Sequence, residues 1–412
     1  MSAPTPVATS PVPTDTRPWS LRSARARALL VGGLLALGLV FLFGGDGWLS
    51  VLDFTMTLAI ATLGLNVLSG YAGQISLGIA FFMGIGAYTA AWLGGSPPQF
   101  PGDPAGLGLS FLIWLPASGV AAAIVGALIG PTALRLKGFY LAIVTLALVF
   151  IGQYLFINLR AITGGQQGYF NYPTPSFGDF SFASPSPIFG VLLTTNQLFF
   201  LLLLPLLTLF ALFVGNVART RAGRAWQAVR DNEVAAAIMG VNLFEAKMGA
   251  FILSSFLAGV SGALYASLSG ITTPGTWGLL LSIEFVAAIL IGGVASVWGS
   301  ILGAAFVFAV PIALDTFSLL PQSASATGVS SGDLSAILYG LLIIVFLLFE
   351  PSGMIGLIHR LSAVSRRPET PDEGGETATQ MASPQPSSER ESQIEVERVD
   401  LAQRSNTTRP SG

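Results

Sequence analysis

The sequence predicts an all-α, polytopic membrane protein of about ten transmembrane helices, arranged as two inverted five-helix repeats. Three observations carry that expectation. Charged residues make up only 10% of the 412 positions while hydrophobic ones reach 52%, and the mean hydropathy is +0.71. Soluble domains carry about a quarter charged residues and need them to coat their surface. The few charges are also gathered: fifteen lie in residues 363–412 and eight in residues 218–247. The rest of the chain is a series of long apolar runs, and a bilayer core of about 30 Å takes roughly 20 helical residues to cross.

The runs fall at 28–43, 51–68, 75–93, 110–134, 139–159, 198–217, 248–268, 279–297, 298–314 and 334–349. Arg17, Arg22, Arg25 and Arg27 precede the first, which places the N-terminus in the cytoplasm by the positive-inside rule. That run ends Phe41, Leu42, Phe43, Gly44, Gly45, Asp46 without a small-residue cleavage site, so it reads as a retained span rather than a signal peptide. The joints at 69–74, 270–278 and 292–299 carry only glycine and polar residues, which leaves counts of eight or nine open. Ten spans put Arg135, Lys137, the 218–247 loop and Arg360, Arg366 and Arg367 inside. Asp46, Asp103, Asp179 and Asp333 then fall outside, with Arg160 as the exception. Asp53 and Asp315 sit near the outer boundary, where water can reach them, and Trp48, Trp92, Trp277 and Trp298 near span ends read as interfacial anchors.

The domain boundaries follow from composition. Residues 1–27 and 359–412, rich in Pro, Ser, Thr and charge, read as disordered cytoplasmic extensions around a transmembrane domain at 28–358. The chain has no Cys, one histidine (His359) and two lysines, Lys137 and Lys247. Thiol chemistry, a multi-histidine metal centre and a phosphate-binding G-x-x-x-x-G-K loop are therefore excluded. The net charge of −2 with no basic stripe excludes a nucleic-acid partner.

Glycine is dense in two places, at Gly70, Gly73, Gly78, Gly84 and Gly86 and at Gly292, Gly293, Gly299 and Gly303. Small residues let membrane helices approach closely. They also mark broken helices, which survive in lipid only where protein or water satisfies the backbone. Five spans per half force the halves into opposite orientation, the topology of an inverted repeat. The longest inner loop, 218–247, predicts one helix over 224–240 stopped by Gly240, and a capping box of Asn242 with Glu245 opening the next span. Such a helix either lies on the membrane surface or docks in a groove on a cytoplasmic partner.

Within that loop Glu233, Val234, Ala235 and Ala236, followed by Gly240, are similar to the Glu-Ala-Ala…Gly loop of ABC importer permeases, with the glycine one residue later than usual. More text agrees: Leu136 to Thr145, Ile162 to Gly168, Gly223 to Gly240, Ala258 to Tyr265, and Ser282, Glu284, Gly292, Gly293, Trp298, Gly299 and Gly303. Together they resemble the permease subunits of branched-chain amino-acid ABC importers, specifically the M-type partner. Gln166 and Gln167 stand where relatives often carry Pro-Asn, and closely similar permeases serve urea and short amides.

The resemblance implies a permease that catalyses no bond chemistry, with no cofactor on this chain and ATP and magnesium on partner subunits. It implies a heterodimer with a second homologous permease, two cytoplasmic ATP-binding subunits, an extracytoplasmic substrate-binding protein and a bacterial-type plasma membrane. Arg224, Arg230, Asp231, Asn232, Glu233, Ala236 and Gly240 are the expected ATPase-coupling residues. Asn66, Gln74, Ser76, Thr145, Gln153 and Glu284 are the polar candidates for the translocation path, Glu284 being the deepest acid. Each could equally hold neighbouring helices together. Gly70, Gly73, Gly292, Gly293 and Gly299 are the packing or hinge glycines. The rival reading, an ion-coupled secondary carrier, calls for several intramembrane acids and leaves the Glu-Ala-Ala pattern without a role. An assembly or scaffold subunit explains neither.

Overall fold

The computed structural model describes residues 45–95, 106–133, 135, 138–169, 172–177, 180–182, 184–188, 191–312 and a few positions between 340 and 354. The first expected span, most of the last one, Asp103, Asp179, Asp315, Asp333 and both terminal extensions lie outside the described residues. The other eight spans appear as helices. They are α1 (Asp46–Leu65), α2 (Ile79–Gly94), α3 (Phe111–Ala133), α4 (Phe139–Asn158), α5 (Thr195–Val217), then two short helices α6 (Arg221–Asp231) and α7 (Glu233–Ile238), followed by α8 (Leu243–Ser269), α9 (Leu279–Gly292) and α10 (Val297–Ala304). Five are long and apolar enough to cross a membrane, counting α1 with its extension to Tyr71, and α2, α9 and α10 are shorter apolar helices. The chain is an all-α polytopic membrane protein. Its only described strands form two small antiparallel hairpins between α4 and α5, Ser176–Phe177 with Phe180–Ser181 and Ser186–Ile188 with Val191–Leu193.

The helices form two tiers. Buried residues make up 89% of the apolar window of α1 and 72% of that of α8, against 33–39% for α3, α4 and α5. So α1 and α8 are the centre, and the other three present most of their surface to lipid or a partner. The central pair is antiparallel: Ser261 Oγ donates to the Thr57 carbonyl at 2.7 Å, while Gly64 packs on Ser254 and Leu257. Around them glycine allows near backbone contact. A Cβ at Gly86 would fall on the Gly259 carbonyl, and one at Gly262 on the Met83 carbonyl, which seats α2 against α8.

All three glycine-marked joints are real breaks. At the first, α1 widens into a π-helical turn, Asn66–Tyr71, and the chain then runs without regular structure until α2 starts after Gly78. At the second, α8 ends at left-handed Gly270, and a 3-10 turn at Pro274–Trp277 precedes Gly278 and α9. Long central helix, break, non-helical approach, glycine, short helix: the order occurs twice with opposed central helices. An inverted repeat requires this of its second and third spans. At the third joint, Gly292 lies on the Gly299 carbonyl and Gly303 on that of Ala288, closing α9 and α10 into a tight pair.

Two expectations change. Asp53, expected to be solvated, is fully buried and both its oxygens lack hydrogen-bond partners, because α1 runs through the middle of the bundle rather than along its edge. Trp277, expected as an interfacial anchor, is buried beneath Gly84 and edge-on to Tyr265, since the approach to α9 dips into the bundle. Trp48 and Trp92 are about half exposed, as anchors are.

Candidate functional site

Two regions hold the candidate residues. The first is the segment between α5 and α8, which departs from the expected single helix. Thr220 caps α6, whose buried face is Gly223, Trp226 and Val229. The helix stops at Asn232, whose backbone is extended (φ −160°) and whose side chain accepts from Val234 and Ala235 amides at 3.0 Å to start α7. An asparagine carboxamide competes with the helical backbone in this way, and that is why Asn favours caps over helix interiors. Gly240 then takes the left-handed conformation (φ 85°) that ends α7, and the Val241 amide donates to the Ala236 carbonyl. Asn242 caps α8 as expected; Glu245 accepts from the Asn242 side chain rather than from its backbone, a variant of the capping box.

Three polar ties fix this segment to the bundle. Arg230 Nη1 donates to the Gly70 carbonyl at 2.8 Å. Gly73, at φ 69°, lies against the same arginine, where a Cβ would come within 2.7 Å of its Cγ. Glu233 accepts from Lys247 Nζ at 2.6 Å, and Gln74 Nε2 reaches the Lys247 carbonyl at 3.3 Å. Asp231 pairs with Arg230 at 3.5 Å near the surface, and Arg224 bonds the Arg219 carbonyl. Ala236 is buried, whereas Val234, Ile238 and Met239 are 70%, 82% and 72% exposed. A short helix held rigidly from beneath therefore presents an apolar outer face.

The second region is where the broken helices meet. Its backbone is satisfied one group at a time. Ala72 and Gln74 amides donate to Val67 and Leu68 carbonyls, and Ser69 Oγ donates to the Gln74 carbonyl. The Leu77 amide donates to Thr145 Oγ1 at 2.9 Å, Gly78 to Ser76 Oγ at 3.3 Å, and Ala80 to Ser282 Oγ at 3.2 Å. Unpaired backbone is costly in an apolar interior, so these hydroxyls are what let α2 begin inside the bundle. The last bond also sets the starts of α2 and α9 side by side. Asn66 uses both ends of its amide: Nδ2 donates to the Ser296 carbonyl (2.8 Å) and Ser300 Oγ (2.6 Å), and Oδ1 accepts from the Ala295 amide (2.9 Å).

The six polar path candidates thus separate. Asn66, Gln74, Ser76 and Thr145 are buried and occupied with backbone or neighbouring side chains, although Gln74 Oε1 has no partner. Gln153 and Glu284 are only partly buried, on α4 and α9 respectively. Gln153 Nε2 lies by Gly278, 3.1 Å from where a Cβ there would sit. Ser282, Ser296, Ser300 and Lys247 are not among the site candidates read from sequence, although Ser282 belongs to the text that carries the resemblance. The signal for Ser282 was its place two residues before Glu284; the two later serines carried none, since a serine in an apolar run is commonplace.

Residues 47–347 match the family model described as the branched-chain amino acid transport system / permease component. The chain belongs to this family. It is 31% identical to the high-affinity branched-chain amino acid transport system permease protein LivM of Salmonella typhimurium, over 75% of this chain and 70% of that protein. The LivM protein of Escherichia coli matches equally. The probable branched-chain amino acid transport permease protein LivH of Methanocaldococcus jannaschii is 30% identical over 53% of this chain and 62% of its own length. No solved structure matches the chain at a significant level. As a permease component, this multi-pass membrane protein is a transport subunit and not itself an enzyme. Among the described residues no cluster of His, Asp or Glu could hold a metal ion.

Proposed function

We propose that this permease moves branched-chain amino acids inward as half of a heterodimeric pore, fed by an extracytoplasmic binding protein and driven by two cytoplasmic ATP-binding subunits. ATP and magnesium belong to those subunits. Both termini and the α6–α7 end face the cytoplasm, in keeping with the arginines at each, and the two hairpins face outward. The observation that carries the reading is α7: Val234, Ile238 and Met239 stand exposed on a helix anchored through Arg230 and the Glu233–Lys247 pair. Helix-in-groove docking uses this arrangement, an apolar face on a braced support.

The weakly polar side at Gln153 and Glu284 is the stretch of α4 and α9 that we assign to the pathway, where a zwitterion with an apolar tail passes without being tightly held. The test is uptake of labelled leucine and labelled urea by cells with and without this gene. Leucine uptake is lost with the gene if the reading holds. Loss of urea uptake alone reassigns the substrate, and loss of neither rejects the importer reading. In the reconstituted complex, Arg230→Glu or Glu233→Lys abolishes substrate-stimulated ATP hydrolysis while the chain still inserts. Unchanged stimulation contradicts the assignment of α6–α7 as the coupling element.

A further inference from the structure

The site of docking and the site where the helices break are joined by one short run of contacts. The Gly70 carbonyl takes the Arg230 guanidinium. On its other side Gly70 lies against Asn66 Oδ1 and the Ala295 amide, so closely that a Cβ there would collide with both. Asn66 in turn grips the α9–α10 turn at the Ala295 amide and the Ser296 carbonyl, and the first turn of α10 at the Ser300 hydroxyl. That turn holds two residues with positive φ, Gly293 (114°) and the non-glycine Ala295 (61°). Ala295 is in a conformation that disfavours side chains, and the Asn66 bond to its amide helps to hold it there. From the turn, α9 leads back to Ser282 and the start of α2.

The π-helical turn matters to this geometry. A π-turn adds a residue to one turn of helix and loosens the regular ladder, and such turns concentrate at functional positions. Here it leaves the Gly70 carbonyl free for Arg230 and turns the buried Asn66 amide toward α10. An apolar residue at 66 could pack there but could not fix the distance or orientation of the α9–α10 turn.

We infer that Asn66 is a positioning residue for transport: it makes the α9–α10 turn follow the π-turn, and the π-turn follow Arg230 when α6–α7 is moved by the ATPase. Asn66 touches no substrate in this scheme. It converts a displacement at the docking segment into a displacement of α9, the helix that carries Glu284. The inference rests on the docking reading above and is independent of which substrate is carried.

The chain has no cysteine, so in a single Val294→Cys variant, at a residue 47% exposed in the turn, the label read on this chain, separated from its partners, reports on that turn alone. The assembled complex is labelled with a maleimide before and after trapping ATP with vanadate. The labelling rate changes by about fivefold or more in the parent, the change is abolished by Asn66→Ala, and it is reduced by Ser300→Ala, which removes one of the three contacts. Leucine uptake per ATP hydrolysed falls about tenfold in Asn66→Ala, and combining it with Arg230→Gln adds little, because both changes interrupt one route. A merely structural asparagine lowers yield and melting temperature without removing the nucleotide response. The inference is overturned if trapping leaves the parent label unchanged, or if the response survives in Asn66→Ala. Should Asn66→Ala not assemble, an undiminished response in Ser300→Ala overturns it as well. Failure of the parent chain to bind any ATPase subunit counts against the docking reading, and a parent that responds to vanadate but not to leucine counts against the substrate.

Discussion

Thr145 shows how much one hydroxyl can decide in an apolar helix. Its Oγ1 accepts from the Leu77 amide and donates to the Ala142 carbonyl, and no water reaches it. Thr145→Val keeps the shape and orphans the Leu77 amide, at about 1–3 kcal/mol; the expected result is a lower melting temperature in detergent, with Thr145→Ser close to the parent. Glu233 is the second such residue. Removing its carboxylate in Glu233→Ala leaves Lys247 Nζ, mostly buried, without its ion-pair partner, a loss of about 1–3 kcal/mol. Glu233→Ala with Lys247→Met, which removes both charges, recovers part of that loss in the same melting experiment. A double variant less stable than the single one contradicts the pairing. Residue type was legible in the sequence for both positions. The role was not, because the partners lie 68 and 14 positions away.

At the scale of elements, hydropathy and glycine were enough to find eight of the spans and all three breaks. They were not enough for the coupling segment, where an amphipathic run through 224–240 read as one helix. Asn232 splits it, since its capping bonds to Val234 and Ala235 hold the chain extended between α6 and α7. Asn232→Ala removes that cap, worth about 1 kcal/mol, and should straighten α6 into α7; protease sensitivity of the segment in the assembled complex measures it. The crossing of α2 on α8 makes a harsher prediction. Gly262→Val puts a branched side chain where the Met83 carbonyl lies, and overpacking of that kind costs about 1–3 kcal/mol or more. Its yield as a monodisperse species in detergent should collapse, while Gly249→Ala, whose nearest neighbour is a Trp226 ring at 3.9 Å, should be tolerated.

At the scale of the molecule, the charge pattern and the family motifs pointed to the same machine, and the proposed function makes the exposed face of α7 the docking surface to test. Ile238→Asp places a carboxylate on that face, where Ile238 makes little contact with its own chain. It should insert and fold as the parent does and fail to retain ATPase subunits on affinity purification; normal retention would move the docking surface elsewhere.

By itself the sequence determined the solvent of this protein, the rough limits of the eight described apolar helices, the places where helices break, and its family. All of these depend on near neighbours along the chain: an apolar run sets a span, a glycine permits a break, and a motif is a local string. Only the tertiary structure decided what the buried polar groups do. Asn66, Ser76 and Thr145 looked alike as candidates for a path, and they proved to be occupied with bonds inside the bundle, while Gln153 and Glu284 are only partly buried. The physical reason is that a buried polar group takes its meaning from its partner. Asn66 finds its partners some 230 residues further on, a distance that no local pattern encodes.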